Sequence, residues 1–234
     1  PVPNGVEQVW MDHGSGQQTE AWFIRGDGRG PQNPGPAIIY FHGNAEVIDQ
    51  CLHYDEIQSY LRSGISVLLP EYRGYGRSQG EPSEKGITED IRKFYQWLIV
   101  KPEVKKSKII FHGKSLGGGV ATALAAEHLP AALILESTFT SIASFSMRYA
   151  VPSFLCRHPF RTDRRIASLE CPILILHGSK DKVIPVAHGR RLHKLADNSE
   201  YVEWAKGHND PPPDWEAYWK TIWLFLLRTT EGLS

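Results

Sequence analysis

A serine, an aspartate and a histidine each stand just beyond an apolar run, where covalent catalysis can be done. The serine is Ser115, inside Gly113-Lys114-Ser115-Leu116-Gly117, a G-x-S-x-G spacing. The apolar run Lys108–Phe111 precedes it and a segment of helical periodicity, Leu116–His128, follows. A hydroxyl placed on a sharp strand-to-helix turn is exposed above the sheet, at a strained backbone geometry. The residues two before and two after must then be tiny, because neighbouring backbone comes close. The turn also aims backbone N–H groups of the helix start at any developing oxyanion. The spacing alone arises by chance in about one chain in ten of this size; its place between strand and helix gives it weight. Gly113-Lys114-Ser115 also matches the tail of a phosphate-cradling G-x-x-x-x-G-K-[ST] loop. That reading fails, because Lys108 stands where the first glycine is needed and the intervening residues are strand-like.

A nucleophilic serine needs a base to take its proton and a buried carboxylate to hold the base's other nitrogen. In a strand-turn-helix site of this kind the chain order is Ser, then Asp or Glu, then His. Asp181 follows the run Pro172–Leu176 in His177-Gly178-Ser179-Lys180-Asp181, and His208 follows the run Tyr201–Trp204 in Lys206-Gly207-His208-Asn209-Asp210. Both fall on loops at carboxyl ends of strands, where ligand-facing groups belong. Glu136, at the end of the Ala132–Leu135 run, is the credible alternative orienter. Asp210 is too close to His208 along the chain to reach behind its ring. Of the ten histidines, His42, His112 and His177 each precede a glycine at a strand end and are read as packing or loop hydrogen-bond partners. The second oxyanion donor should come from the loop after Ala37–Phe41, which reads His42-Gly43-Asn44-Ala45, so the backbone N–H groups of Asn44 and Leu116 form the candidate pair.

Such loops need a sheet to hold them. Val6–Asp12 and Thr19–Gly26 alternate apolar and polar residues, as half-buried antiparallel strands do, with a turn at His13-Gly14-Ser15-Gly16 between them. The continuous apolar runs Ala37–Phe41, Ser66–Leu69, Lys108–Phe111, Ala132–Leu135 and Pro172–Leu176 suit strands covered on both faces. Tyr201–Trp204 completes a set of eight. Helical periodicity separates them over Ile48–Arg62, Thr88–Ile99, Leu116–His128 and Val186–Ala196, and recurs over Asp214–Leu227. The alternation predicts an α/β, mostly parallel, doubly wound sheet with N-terminal antiparallel strands. The interval from about 138 to 169 breaks the rhythm and is read as a short helical lid, whose Phe139, Phe145, Met147, Tyr149 and Phe154 are candidates to line an apolar pocket. An ordinary crossover helix plus loop is the competing reading of that interval.

With 234 residues, 41% hydrophobic and 22% charged, the chain fits a single globular domain over 1–234. Its 26 basic and 26 acidic residues balance without long runs of one sign, which argues against nucleic acid as a partner. No run of about 18 apolar residues spans a bilayer. Cys51, Cys156 and Cys171 are odd in number and lack metal-cage spacing, which leans towards a reducing, cytoplasmic setting. The chain opens on Pro1 and is read as truncated or processed, leaving a signal or anchor upstream an open question. The sequence does not set the oligomeric state.

Taken together, His42-Gly43-Asn44-Ala45, Glu71-Tyr72-Arg73-Gly74-Tyr75-Gly76-Arg77-Ser78, Gly113-Lys114-Ser115-Leu116-Gly117-Gly118, His177-Gly178-Ser179-Lys180-Asp181 and Gly207-His208-Asn209 resemble the α/β-hydrolase superfamily. The likeness is to small-lidded serine hydrolases related to depalmitoylases and to prolyl-oligopeptidase-type catalytic domains, over roughly residues 36 to 227. It implies the α/β-hydrolase fold, a Ser115–Asp181–His208 triad, Asn44 and Leu116 as oxyanion donors, and no metal or organic cofactor. Two departures stand out. Glu46 follows Ala45 where a second glycine is usual, putting an acid near the mouth that bears on charge preference, and Glu71 opens the arginine-rich loop in place of Asp. That loop is read as structural.

The activity this implies is acyl transfer to water from a small-molecule or acyl-chain ester or thioester, of carboxylesterase or thioesterase type. The alternatives are a peptidase of prolyl-oligopeptidase-like type and a catalytically silent fold serving as a binding module. A haloalkane or epoxide enzyme would place Asp at position 115 and is excluded by Ser115.

Overall fold

The structure, a computed structural model, describes residues 2–14, 16–146 and 159–230. Its eight strands are β1 Val6–Asp12, β2 Gln18–Ile24, β3 Gly35–Phe41, β4 Ser66–Pro70, β5 Val104–Lys114, β6 Ala132–Glu136, β7 Ile173–Gly178 and β8 Ser199–Trp204. They form one sheet in the order β1-β2-β4-β3-β5-β6-β7-β8. β1 pairs antiparallel with β2, and β2 with β4; every later pairing is parallel. This is the mostly parallel, doubly wound sheet with an N-terminal antiparallel pair that the apolar runs predict.

The continuous apolar strands are explained by cover on both faces. Along β3, Ala37, Ile39 and Phe41 point into one core and Ile38 and Tyr40 into the other, the two-residue period of a pleated strand. The first core is closed by α3 (Glu84–Leu98), α4 (Leu116–Ala125), α6 (Thr162–Ile166) and α7 (Ala187–Leu195). The second is closed by α1 (Ile48–Cys51), α2 (Asp55–Arg62) and α8 (Trp215–Thr229). Each fully buried Ile or Phe contributes about 1.5–3 kcal/mol relative to exposure, so the sheet centre is the rigid base for the loops at its carboxyl edge.

Two helices differ from expectation. The helix expected over Ile48–Arg62 is two, because Tyr54 is extended (φ −69°, ψ 141°) and starts α2 afresh. The break lets Ile57, Tyr60 and Leu61 face the second core while Tyr54 reaches back towards Glu46. The helix expected over Thr88–Ile99 starts a turn earlier, at Glu84, where the Ser83 hydroxyl accepts from the Gly86 amide and satisfies one of the unpaired N–H groups of the first turn. Of the interval expected to be a lid, the described parts include the one-turn helix α5 (Ala143–Ser146) and α6; Met147, Tyr149, Phe154 and Cys156 lie outside the described residues. Among the described residues, no helix is long and apolar enough to cross a membrane.

Candidate active site

Ser115 sits between β5 and α4 at φ 53°, ψ −117°. A left-handed φ is costly for a residue with a side chain and persists only where the surroundings over-determine it. Here they do. The Ser115 amide donates to the Glu136 carbonyl at 2.9 Å, and its carbonyl accepts from the Thr138 hydroxyl at 2.7 Å. The flanking glycines are forced by close backbone approach. A Cβ on Gly113 would stand 2.4 Å from the Gly117 carbonyl oxygen, and one on Gly117 would stand 1.9 Å from that of Phe41. Gly118 is equally constrained, since a Cβ there would meet Thr138 Oγ1 at 2.2 Å.

His208 and Asp181 arrive from the two loops beyond β8 and β7. His208 Nε2 lies 3.0 Å from Ser115 Oγ, and His208 Nδ1 lies 2.7 Å from Asp181 Oδ2. The other Asp181 oxygen accepts from the Val183 and Ile184 amides at 2.9 and 2.8 Å. Burial pushes this carboxyl's pKa up, but the bonds from His208 and the Ile184 amide outweigh it, and the net shift is downward. Asp181 therefore stays an acceptor and fixes a proton on Nδ1, leaving Nε2 free to accept from the serine. The two loops are tied to each other. Ser179 N donates to the Trp204 carbonyl at 2.7 Å and Lys180 N to the Lys206 carbonyl at 3.0 Å. A Cβ on Gly178 would strike that same Lys206 oxygen at 2.4 Å.

Glu136, the alternative orienter, is not behind the imidazole. Its side chain is engaged on Lys206 Nζ (2.7 Å) and the Tyr218 hydroxyl (2.8 Å), away from His208. Asp210 folds back to accept from the Gly207 amide at 2.8 Å. His42 lies 2.9 Å from Glu71, His112 bonds the Tyr60 hydroxyl at 3.0 Å, and His177 Nε2 donates to the Ile184 carbonyl at 2.9 Å. All three are enclosed in the fold. Burial pulls the pKa of His177 down, consistent with a neutral ring.

The Asn44 and Leu116 backbone flank the serine, and Asn44, Ser115 and Leu116 line one cavity of about 530 Å³. Asn44 is steadied by Tyr75, whose hydroxyl donates to Asn44 Oδ1. Ala45, at φ 61°, turns the chain so that Glu46 folds inward, where it accepts from the Gly43 amide at 2.6 Å and lies 3.5 Å from Lys114 Nζ. Glu46, expected near the mouth, lines the polar cavity beside the site while its carboxylate braces the loop after β3. The arginine-rich loop is likewise braced, with Arg73 forked onto Asp90 at 2.7 Å and Arg77 bound to Glu20 and Asp49.

The cavity beyond Ser115 is mainly apolar, walled by Ile87, Phe139, Ile142, Phe160, Val183 and Ile184. Phe139 is the one proposed lid aromatic whose side chain is described. A second, polar cavity of about 600 Å³ meets the first at Asn44 and is lined by Tyr54, Glu56, Lys114, Asn209 and Trp215 among others. Sequence reading missed Thr138, Tyr75 and Lys206. Tyr75 and Lys206 stand within quoted motifs but were given no role, and the signal for Thr138 is Gly118, which directly follows the G-x-S-x-G set.

Comparison with known proteins agrees with the fold. Residues 36–164 match the family described as alpha/beta hydrolase fold. The chain is 32% identical over 247 residues to the alpha/beta hydrolase domain-containing protein WAV2 of Arabidopsis thaliana, covering 94% of this chain and 78% of that one. It is 36% identical over 192 residues to the lysophosphatidylserine lipase ABHD12 of Danio rerio, covering 72% of this chain and 49% of that protein. The esterase RhEst1 of Rhodococcus sp. ECU1013 superposes with a TM-score of 0.70 at 18% identity, over 96% of this chain and 99% of its own; at that identity it bears on fold alone.

Proposed function

The chain belongs to the α/β-hydrolase fold family, and from that premise we propose that it is a serine hydrolase cleaving carboxylic ester or thioester bonds through an acyl-enzyme intermediate. The observation that carries this reading is the hydrogen-bonded series Ser115–His208–Asp181, at 3.0 and 2.7 Å, at the head of an apolar cavity.

Each group has a step. His208 Nε2 takes the Ser115 proton as Oγ attacks the carbonyl carbon, and buried Asp181 stabilises the imidazolium through Nδ1. The tetrahedral oxyanion is held by the Asn44 amide, on the loop after β3, and by the Leu116 amide at the start of α4, where unpaired N–H groups concentrate positive potential. Collapse breaks the bond to the alkoxide or thiolate, which leaves with the proton from His208. Water, deprotonated by the same nitrogen, then attacks the acyl-serine, and the acid is released with Ser115 restored.

The acyl chain lies against Ile87, Phe139, Phe160 and Ile184, and the leaving group faces the polar cavity beyond Asn44. Apolar burial of roughly 25 cal/mol per Å² favours longer acyl chains until the cavity is filled. The test is turnover of p-nitrophenyl esters of rising chain length, matched thioesters and aminoacyl amides, with Ser115→Ala as the blank. Esters or thioesters should be hydrolysed and the blank should lose about 10⁶-fold. A preference for amides, or activity surviving in the blank, contradicts the reading.

A further inference from the structure

Beneath the site lies a buried ionic group with no step in the reaction. The Glu136 carboxylate accepts from Lys206 Nζ at 2.7 Å and from the Tyr218 hydroxyl at 2.8 Å, and lies 3.8 Å from His112 Nε2. Both charged side chains are almost wholly enclosed, Lys206 at 5% and Glu136 at 3% exposure. Burial alone would drive the Glu136 pKa up; the neighbouring His112 and Lys206 hold it well below the usual carboxylate range. Enclosing such a pair is expensive in desolvation, and well-packed apolar residues often serve stability as well or better. Its place in the fold must therefore be asked about.

The pair is linked to the three loops that carry Ser115, Asp181 and His208. The Glu136 main-chain carbonyl accepts from the Ser115 amide at 2.9 Å, fixing the strained nucleophile turn. Its side chain seizes Lys206, two residues before His208 on the base loop. The Lys206 carbonyl accepts from the Lys180 amide at 3.0 Å, next to Asp181 on the acid loop. Tyr218 brings in α8, and Tyr60, hydrogen-bonded to His112, brings in α2. Glu136 thus joins the nucleophile turn through its main-chain carbonyl and the base loop through its carboxylate, and the acid loop is reached through the Lys206 main-chain carbonyl.

Building on the serine-hydrolase reading, we propose that Glu136 and Lys206 are positioning residues, a buried strut that sets the separation of the Ser115 and His208 side chains. Neither touches the reacting atoms. An attack geometry loosened by about 1 Å is enough to cost on the order of 10²-fold in rate, so removing the strut should lower kcat far more than it alters KM.

The experiment compares Lys206→Met, Lys206→Arg, Glu136→Gln and Ser115→Ala with the wild type, recording kcat, KM and thermal melting with one p-nitrophenyl ester. Lys206→Met and Glu136→Gln should each lose roughly 10- to 100-fold in kcat, with KM within about twofold of wild type. Lys206→Arg, which keeps a donor on the carboxylate, should recover most of the loss. If Lys206→Met does not melt cooperatively, the double variant Lys206→Met/Glu136→Gln, which removes the bridge without leaving a buried charge unpaired, takes its place in the comparison. A kcat near wild type in Lys206→Met or Glu136→Gln, a loss expressed in KM alone, or no recovery in Lys206→Arg overturns the strut. Activity persisting in Ser115→Ala instead overturns the serine-hydrolase reading, so the two failures are told apart.

Discussion

Replacing Asp181 by Asn changes one atom and inverts the logic of the base. The Asp181 carboxylate accepts three hydrogen bonds: Val183 and Ile184 amides on Oδ1, at 2.9 and 2.8 Å, and His208 Nδ1 on Oδ2, at 2.7 Å. An asparagine there has one acceptor end and one donor end. The two fixed amides demand the acceptor, so the NH₂ must face His208. The ring then has to accept at Nδ1 and carry its proton on Nε2, the nitrogen 3.0 Å from Ser115 Oγ. A protonated Nε2 takes no proton from the serine. The expected loss is about 10⁴-fold in turnover, as for a triad held in the wrong tautomer, or about 5.4 kcal/mol in transition-state stabilisation. Ester hydrolysis at pH 7.5 measures it, alongside a melting curve to show that the fold persists. The pH dependence has a definite sign. The pKa of Asp181 is depressed in the fold, so its stabilising contribution is complete above the ordinary carboxylate value of about 3.9 and is lost as pH falls through the lower folded value. The melting difference between wild type and Asp181→Asn should therefore shrink as pH falls below about 4. Turnover in Asp181→Asn within tenfold of wild type would refute the reasoning.

Two other outcomes test the surroundings. Gly117→Ala would place a methyl 1.9 Å from the Phe41 carbonyl oxygen and 2.8 Å from that of His42, both backbone atoms that cannot swing aside; a destabilisation of about 3 kcal/mol, seen as a Tm lower by about 6–12 °C, is expected. Ile87→Trp, on the wall of the apolar cavity, should leave turnover of acetyl esters within about threefold and shift the preferred acyl chain to shorter lengths, read from kcat/KM across an ester series.

The loops of the candidate site were readable because three kinds of local signal coincide on them. A parallel strand covered on both faces must be apolar throughout, so Ala37–Phe41, Ala132–Leu135 and Pro172–Leu176 stand out, and the loop after each is the carboxyl edge. Gly113 and Gly117 mark where backbone meets backbone, and chain order with a place at a strand's carboxyl end narrows the orienting acid to Asp181 or Glu136. What escaped is what depends on side chains meeting across the fold. Nothing local says that Lys206 reaches Glu136, that Tyr75 holds Asn44 or that Thr138 binds the Ser115 carbonyl, because each joins residues more than 20 apart. Glu136 stood as the alternative orienter on its strand-end position, since position gives the edge of the sheet but not the direction of the side chain. The start of α3 was hidden because Gly86 interrupts the apolar pattern, although Ser83 supplies the cap. The bonds Glu46 makes to Gly43 and Lys114 were not legible, because the inward turn at Ala45 requires a left-handed φ unusual for alanine.

The central claim is that Ser115 becomes covalently bound to substrate carbon with His208 as its base. Treatment with a fluorophosphonate, from which the Ser115 oxygen displaces fluoride at phosphorus, followed by peptide mass mapping, tests that nucleophile and its base directly. A single adduct on Ser115 is expected, absent in Ser115→Ala and formed at least 10³-fold more slowly in His208→Ala. An adduct on another residue, or labelling as fast without the imidazole as with it, would contradict the account.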